Sequence, residues 1–204
     1  MSLRVPAARS ETPPSGTPPA RAGRIDAGRI CLDLAAQPPD RADALDRWLH
    51  TAGLVPGTTP LPALDARWVA RFRELGDCVG ALVRAQLHGR GPDPAALDRL
   101  NALAAAAAPP APRAVRTETG GLVRELSAAP ECRALLAAVA RDAVDLLTDP
   151  VARTLLRQCE SADCHRCYLD TSRGRRRRWC SSELCGNRER VARHRRRSRE
   201  RPRT

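Results

Sequence analysis

Two matched pairs of cysteines constrain the fold of this chain more than any other feature. Cys159 and Cys164 are separated by four residues, Cys180 and Cys185 are also separated by four, and fifteen residues lie between the pairs. Four soft thiolate ligands in two such pairs suit a closed, tetrahedral Zn²⁺ site. The sequence therefore predicts that these four cysteines bind one zinc ion.

The small size of this segment is a second argument for a metal. A segment of about thirty residues cannot bury enough apolar surface to fold alone. A structural zinc ion supplies roughly 10–16 kcal/mol of apparent binding energy, which becomes folding energy in such modules. Two disulfides are the alternative. We favour zinc because nothing in the sequence indicates secretion, and a reducing cytosol favours metal over disulfides.

The other cysteines leave one question about the ligands open. Cys167 and His165 form an extra C-H-x-C cluster with Cys164, so exchange of a ligand with Cys164 is an alternative at this point. The three cysteines outside the segment are expected to be small core residues. They are Cys31, Cys78 and Cys132.

The residues around the second pair resemble a known family. The run RRWCSSELCGNR follows C-x4-C and YLDTSR, and together they resemble the CGNR zinc-finger family. The resemblance implies that the same four cysteines bind Zn²⁺ and that an N-terminal helical domain, called ABATE, precedes the finger. It also implies a transcription regulator whose finger contacts DNA. The four residues that name the family stand here as Cys185, Gly186, Asn187 and Arg188.

The start of the helical region is expected to be extended. In GRICLDLAAQPPD, the apolar residues Ile30, Leu32 and Leu34 alternate before two prolines, which is typical of a short strand. The Leu-Asp pair in this run resembles the start of ABATE domains, although Ala36 and Gln37 replace the Asn-Thr pair of that family.

The remaining chain predicts mainly helices. Only five residues are aromatic, so the core must be built from Leu, Val and Ala, which favours helices. Apolar periodicity and capping residues predict helices between Asp40 and Gly53 and at about 62–88, 94–108, 130–147 and 150–156. A β-hairpin is predicted around Gly120 and Gly121.

The predicted fold class is mainly α with small β-hairpins, and it has four parts. Residues 1–23 are expected to be disordered because they contain few large apolar groups. An ABATE-like helical domain with a β-hairpin is expected over 24–148, a small treble-clef-like zinc finger with four cysteine ligands over 149–190, and a basic helix and tail over 191–204.

Inside the finger, a second hairpin is predicted from residues 168–170 and 176–179, and Cys185 is expected to begin a helix. Gly186 is expected to permit a tight turn, and Asn187 to cap the helix or hydrogen-bond a thiolate. Arg188 has two interpretations, an ion pair with Asp170 or a phosphate contact. A miniature core is predicted from Tyr168, Trp179, Leu184 and Val191.

Positive charge is concentrated at one end of the chain. Residues 173–204 contain 14 arginines and 3 glutamates, a net charge of +11, whereas residues 1–172 contain 21 arginines and 20 acidic residues. A localised cationic block indicates a polyanion as partner. An all-round basic helix suits the DNA major groove. Its arginines, together with Arg188, are Arg190, Arg193, Arg195, Arg196, Arg197 and Arg199.

We expect a cytoplasmic, zinc-dependent DNA-binding regulator without a membrane partner, since no long apolar stretch is present. The helical domain would then be a sensor of an unknown small-molecule signal or a homodimerisation unit. One alternative is an RNA- or ribosome-associated protein. Another is a redox switch in which Cys167 resolves an oxidised zinc thiolate. The scattered histidines and the lack of a phosphate-binding glycine motif indicate no enzyme and no catalytic residue.

Overall fold

The computed structural model describes residues 27–57 and 59–200, with side chains described as far as Arg195. The predicted disordered segment, residues 1–23, lies outside the described residues, and so does the end of the predicted tail. Within the described ranges, no helix combines the length and the apolar character needed to cross a membrane.

The prediction of a mainly helical fold with small β-hairpins is confirmed. The described residues form seven α-helices and two antiparallel two-stranded sheets. One sheet pairs β1 (Pro112–Arg116) with β2 (Leu122–Leu126), and the other pairs β3 (Leu156–Gln158) with β4 (Cys167–Leu169). The helices are α1 (Ile30–Ala36), α2 (Ala42–Thr51), α3 (Ala66–Leu87), α4 (Pro94–Ala104), α5 (Cys132–Thr148), α6 (Pro150–Leu155) and α7 (Asn187–Glu200).

The predicted strand near the start of the helical domain is wrong, because these residues form α1. Four consecutive residues of this helix are buried, including Leu32 and Leu34. A helix buried on most sides shows no 3.6-residue periodicity, so its alternating apolar residues imitated a strand. The helix is held by Asp142 of α5, which accepts hydrogen bonds from the Cys31 amide and the Arg29 guanidinium.

The long helix α3 organises the core of the helical domain. Asp65 caps it, because its carboxylate accepts hydrogen bonds from the amides of Arg67 and Trp68. Phe72 is fully buried in α3 and meets the Trp48 ring of α2 edge-on at 5.9 Å between centroids. Helix α3 therefore begins four residues later than predicted, at its cap.

Two other helix bounds differ from the predictions. Helix α2 begins after Arg41 rather than Asp40, and no side chain caps its first turn. Helix α4 begins after the predicted cap, Asp93, whose carboxylate accepts a hydrogen bond from the Ala96 amide. It ends at Ala104, earlier than predicted. The alanines that follow were predicted to extend α4 to residue 108, yet three prolines downstream favour an extended approach to β1.

The strands of the finger share one core with the helical domain. The Leu169 amide donates to the Ala27 carbonyl at 2.9 Å, and the Arg166 Nε donates to the Ala36 carbonyl at 2.8 Å. Gly28 has a φ of +90°, and a Cβ there would lie 3.1 Å from that of Leu169. A glycine is therefore needed where β4 meets the start of α1.

Candidate metal centre

The four cysteines of the matched pairs lie together and are buried. Their sulfur atoms all lie within 4.8 Å of one another. The Cys180 Sγ is 3.7 Å from that of Cys164 and 3.6 Å from that of Cys185. In a tetrahedral site with Zn–S bonds of about 2.3 Å, neighbouring sulfurs are about 3.8 Å apart. The cluster therefore fits one zinc ion.

The chemistry of the four thiols also fits a metal and argues against disulfides. All eight cysteines are free, so the alternative of two disulfide bonds is not observed. Burial and the neighbouring cysteines raise the pKa of Cys180 well above its usual range. A bound zinc ion would supply the positive charge that keeps four clustered sulfurs deprotonated, and it would join three segments of the chain.

The first pair of clustered cysteines lies on the turn between β3 and β4. Cys159 follows β3 directly, and its amide donates to the Arg166 carbonyl at 2.9 Å. Cys164 is placed by a tight turn in which its amide donates to the Ser161 carbonyl at 2.9 Å. The Cys180 amide donates to the Cys159 Sγ at 3.4 Å, which aligns the second pair with the first.

The second pair surrounds the start of α7. Cys185 lies in a π-helical turn (Ser182–Gly186) that runs directly into α7. Ser181 caps this turn, because its Oγ accepts the Leu184 amide at 3.1 Å. Cys185 therefore stands at a helix start, as predicted from the sequence, and couples the basic helix to the metal centre.

Cys167 and His165 lie outside the four-sulfur cluster. Cys167 is buried on β4, and His165 is exposed. Desolvation by burial raises the pKa of the Cys167 thiol. The alternative in which Cys167 or His165 replaces Cys164 as a ligand is therefore not supported.

The predicted hairpin inside the finger is wrong. Strand β4 pairs with β3 instead, and residues 171–179 form a loop. The buried carboxylate of Asp170 holds this loop, since it accepts hydrogen bonds from the Ser172 hydroxyl at 2.6 Å, the Ser172 amide and the Arg177 amide. These bonds, led by that of the Ser172 hydroxyl, lower the pKa of Asp170. No hydrogen bond or ion pair joins Asp170 to Arg188 within the described ranges, so their predicted pairing is not observed.

Gly186 and Asn187 have different roles from those predicted. Gly186 lies in the π-helical turn without a positive φ, and its amide donates to the Ser181 carbonyl at 2.9 Å. A Cβ at Gly186 would lie 3.6 Å from the Trp179 ring, an ordinary contact. Asn187 opens α7, but the capping role belongs to Ser181, and the Asn187 side chain makes no hydrogen bond to another described residue.

Two arginines that sequence reasoning overlooked support the finger. The Arg177 guanidinium lies over the Tyr168 ring and donates to the carbonyls of Trp179 and Cys180. The Arg178 guanidinium donates to Glu160 at 2.6 Å and lies 5.3 Å from the centroid of the Trp179 ring. The aromatic residues on either side of the arginine run were the available signal.

Only half of the predicted miniature core is buried. Tyr168 is fully buried and Trp179 is half-buried, whereas Leu184 is 41% exposed and Val191 is 43% exposed. The buried strand β4 packs against the helical domain instead, so the finger needs no core of its own around α7.

The predicted nucleic-acid contacts lie on α7, beyond the metal centre. The side chains of Arg188, Arg190, Arg193 and Arg195 are all exposed. Arg190 also donates to the Ser182 carbonyl at 3.3 Å. Arg196, Arg197 and Arg199 belong to the same helix, but their side chains lie outside the described ones.

Two family models match the chain. Residues 28–150 match the ABATE model, described as "Putative stress-induced transcription regulator". Residues 155–198 match the CGNR zinc finger. No curated protein shows significant similarity to the chain. The first match covers more than half of the 204 residues, and the resemblance found in the sequence is confirmed. The chain therefore belongs to the ABATE family and carries a CGNR zinc finger.

Proposed function

We propose that this protein is a zinc-dependent, DNA-binding transcription regulator, with the finger as its DNA-binding part. The observation that carries the proposal is an exposed face of mixed character formed by the π-helical turn and the start of α7. Leu184, Arg188, Val191 and Arg195 follow one another at intervals of four, three and four residues, and all are exposed. Such spacing places side chains on one side of a helix. We call these four residues the α7 face.

The composition of the α7 face suits the edges of base pairs. In the major groove, arginine binds guanine through two hydrogen bonds, and apolar side chains contact the methyl group of thymine. The guanidinium groups of Arg188 and Arg195 make no hydrogen bond or ion pair with another described residue, so they are available for such contacts. Leu184 and Val191 alternate with these two arginines along the α7 face and are 41% and 43% exposed, so both kinds of contact can be made from one surface.

The charge distribution supports a polyanion partner for the finger alone. Among described residues, 173–195 contain nine arginines and two glutamates, whereas 27–172 contain 17 arginines and 18 acidic residues. Arg177 and Arg178 make contacts within the finger. The other arginines of the loop 171–179 and the arginines of α7 are left to contact phosphate. Contacts to phosphate position a protein on DNA, and contacts to base edges specify the sequence.

The metal centre determines the position of the α7 face. Cys185 precedes α7 by two residues, and Glu189 in its first turn accepts a hydrogen bond of 2.9 Å from the Ser161 hydroxyl in the turn between the first two ligands. Loss of zinc would release both attachments at once. DNA binding should therefore depend on zinc.

The helical domain would act as a sensor or as a dimerisation unit. Support for a sensor comes from the contacts between α1 and the finger, where backbone groups at both ends of α1 bind Leu169 and Arg166. A shift of α1 would move β4 and the metal ligands next to it. For the helical domain to affect the finger in this way, α1 must have two alternative packed positions.

Selection from a random duplex-DNA library tests the proposal. Zinc-loaded protein should recover a sequence motif, and chelator-treated protein should not. A Leu184→Ser/Val191→Ser variant should bind DNA with a weakened motif. Leu122→Ser is a matched control, because Leu122 is an exposed leucine of the distant hairpin.

A parallel arm with structured RNA separates the DNA proposal from its alternative. Tighter binding to RNA than to duplex DNA would overturn the proposal and favour an RNA-associated protein. If binding to DNA is sensitive to salt but no sequence motif is recovered, the finger binds polyanions in general. The α7 face would then not contact base edges as proposed.

A further inference from the structure

A cavity of about 230 Å³ lies between the helical domain and the finger. One wall is apolar and comes from α1 and α3, with Leu32, Ala35 and Val83. The other side is polar and carries two arginines, Arg84 of α3 and Arg166, together with His165 and Cys167. None of the described residues that line this cavity is acidic. The cavity therefore places two positive charges opposite a small apolar wall.

The guanidinium groups of the cavity are held in place but not neutralised. Arg166 is half-buried, and its Nε donates to the Ala36 carbonyl at 2.8 Å. Its other N–H groups have no acceptor among the described residues. Arg84 likewise has no carboxylate partner in the described part of the chain. Two arginines without acidic partners near an apolar wall are suited to an anion.

A glycine in the middle of α3 makes room for Arg84. A Cβ at Gly80 would lie 3.0 Å from the Nη1 of Arg84, so the guanidinium folds back over the helix at this point. Glycine is less favourable than alanine inside a helix. Gly80 therefore lowers the stability of α3 but leaves room for the charged group of Arg84 beside the cavity.

We propose that this cavity binds a small carboxylate with a short apolar tail. The carboxylate would accept hydrogen bonds from Arg84 and Arg166, since planar guanidinium groups match carboxylates. The tail would contact Leu32, Ala35 and Val83. The ligand would join α3 to the finger, which gives the proposed sensor its ligand class. The inference deepens the sensor part of the proposed function, but the binding is measured without DNA.

Calorimetry on the zinc-loaded full chain tests this proposal. The probes are straight-chain monocarboxylates from acetate to hexanoate, their primary amides, and inorganic phosphate. At least one carboxylate should bind with one molecule per chain. The affinity of its amide should be lower by about tenfold or more, because the amide lacks the charge. Affinity should rise with tail length until the cavity is full.

Three variants and a control locate the site. Arg84→Gln and Arg166→Gln should each weaken carboxylate binding by about tenfold or more. Gly80→Ala should keep or raise the melting temperature of the protein and yet weaken binding, because the new methyl group displaces Arg84. Arg67→Gln, at an exposed position in the first turn of α3, should bind as the wild type does.

Any one of four results would overturn the assignment. The first is a dissociation constant above about 10 mM for every carboxylate, and the second is equal binding of an acid and its amide. The third is an Arg84→Gln variant that folds and binds like the wild type, and the fourth is tighter binding of phosphate than of any carboxylate. None of these results bears on the DNA selection, so the two proposals fail separately.

Discussion

The guanidinium of Arg177 lies 4.6 Å from the centroid of the Tyr168 ring, and the Tyr168 hydroxyl donates to the Arg177 carbonyl at 2.5 Å. The same guanidinium donates to the carbonyls of Trp179 and Cys180. Tyr168 is fully buried, and burial raises its pKa to about 12. The two residues thus fasten the loop that delivers Cys180 to the core shared with the helical domain.

Arg177→Lys should destabilise the zinc-loaded protein although it preserves the charge. Lysine cannot reproduce the planar fork that reaches two carbonyls while covering a ring. We expect a loss of about 1–3 kcal/mol in the free energy of unfolding, measured by denaturant titration. Arg176→Lys is the control, because its side chain is exposed in the same loop. Equal stability of the two variants would contradict the role of Arg177.

The protein should bind one zinc ion per chain. Cys180→Ser should lose it, because the Cys180 sulfur lies within 3.7 Å of two other sulfurs of the cluster and serine offers no thiolate in its place. Metal content after gel filtration checks this result. Cys167→Ala is the matched control and should retain a full zinc ion. Zinc loss in the control, or retention in Cys180→Ser, would show that the ligand set is different.

Asp142→Asn should loosen the attachment of α1. The Asp142 carboxylate binds the Arg29 Nε at 2.7 Å and the Cys31 amide at 2.9 Å, and it is only 18% exposed. Charged hydrogen bonds of this kind contribute about 1.5–3 kcal/mol each, so thermal unfolding should show a clear loss of stability. Asp145→Asn, at an exposed position of the same helix, should change little. A small effect in both would mean that α1 is held by packing alone.

The Cys167 thiol should react slowly in the folded protein. Burial raises its pKa, so the reactive thiolate appears only at higher pH than in the unfolded chain. The rate of Cys167 alkylation at pH 8, monitored by peptide mass spectrometry, should be at least about tenfold lower in the folded protein than in denaturant. Fast alkylation or ready oxidation by peroxide would favour the redox switch, with Cys167 as its resolving thiol.

Local signals in the sequence predicted most of the helical elements and all four clustered cysteines. The caps at Asp93 and Asp149 bind backbone amides of their own first turns, and the spacing of each cysteine pair depends only on a short turn. Features that depend on a few consecutive residues can be predicted in this way.

Elements defined by distant contacts could not be predicted. Helix α1 is surrounded by other elements, so its sequence lacks a polar face. Strand β4 has three residues, and its partner β3 lay at the end of a predicted helix. Leu184 and Val191 were assigned to a core because apolar side chains are usually buried, and only the docking of β4 on the helical domain shows why they remain exposed.

The salt dependence of binding to the selected duplex shows whether the finger binds DNA through α7. With about six phosphate contacts, log K should fall with log salt at a slope of roughly −5. An Arg190→Ala/Arg193→Ala variant removes two exposed arginines of α7 that lie outside the α7 face. It should lower the affinity and reduce the slope by about two, whereas Arg67→Ala should change neither. A slope near zero, or one that the double variant leaves unchanged, would show that α7 does not bind the phosphates of DNA.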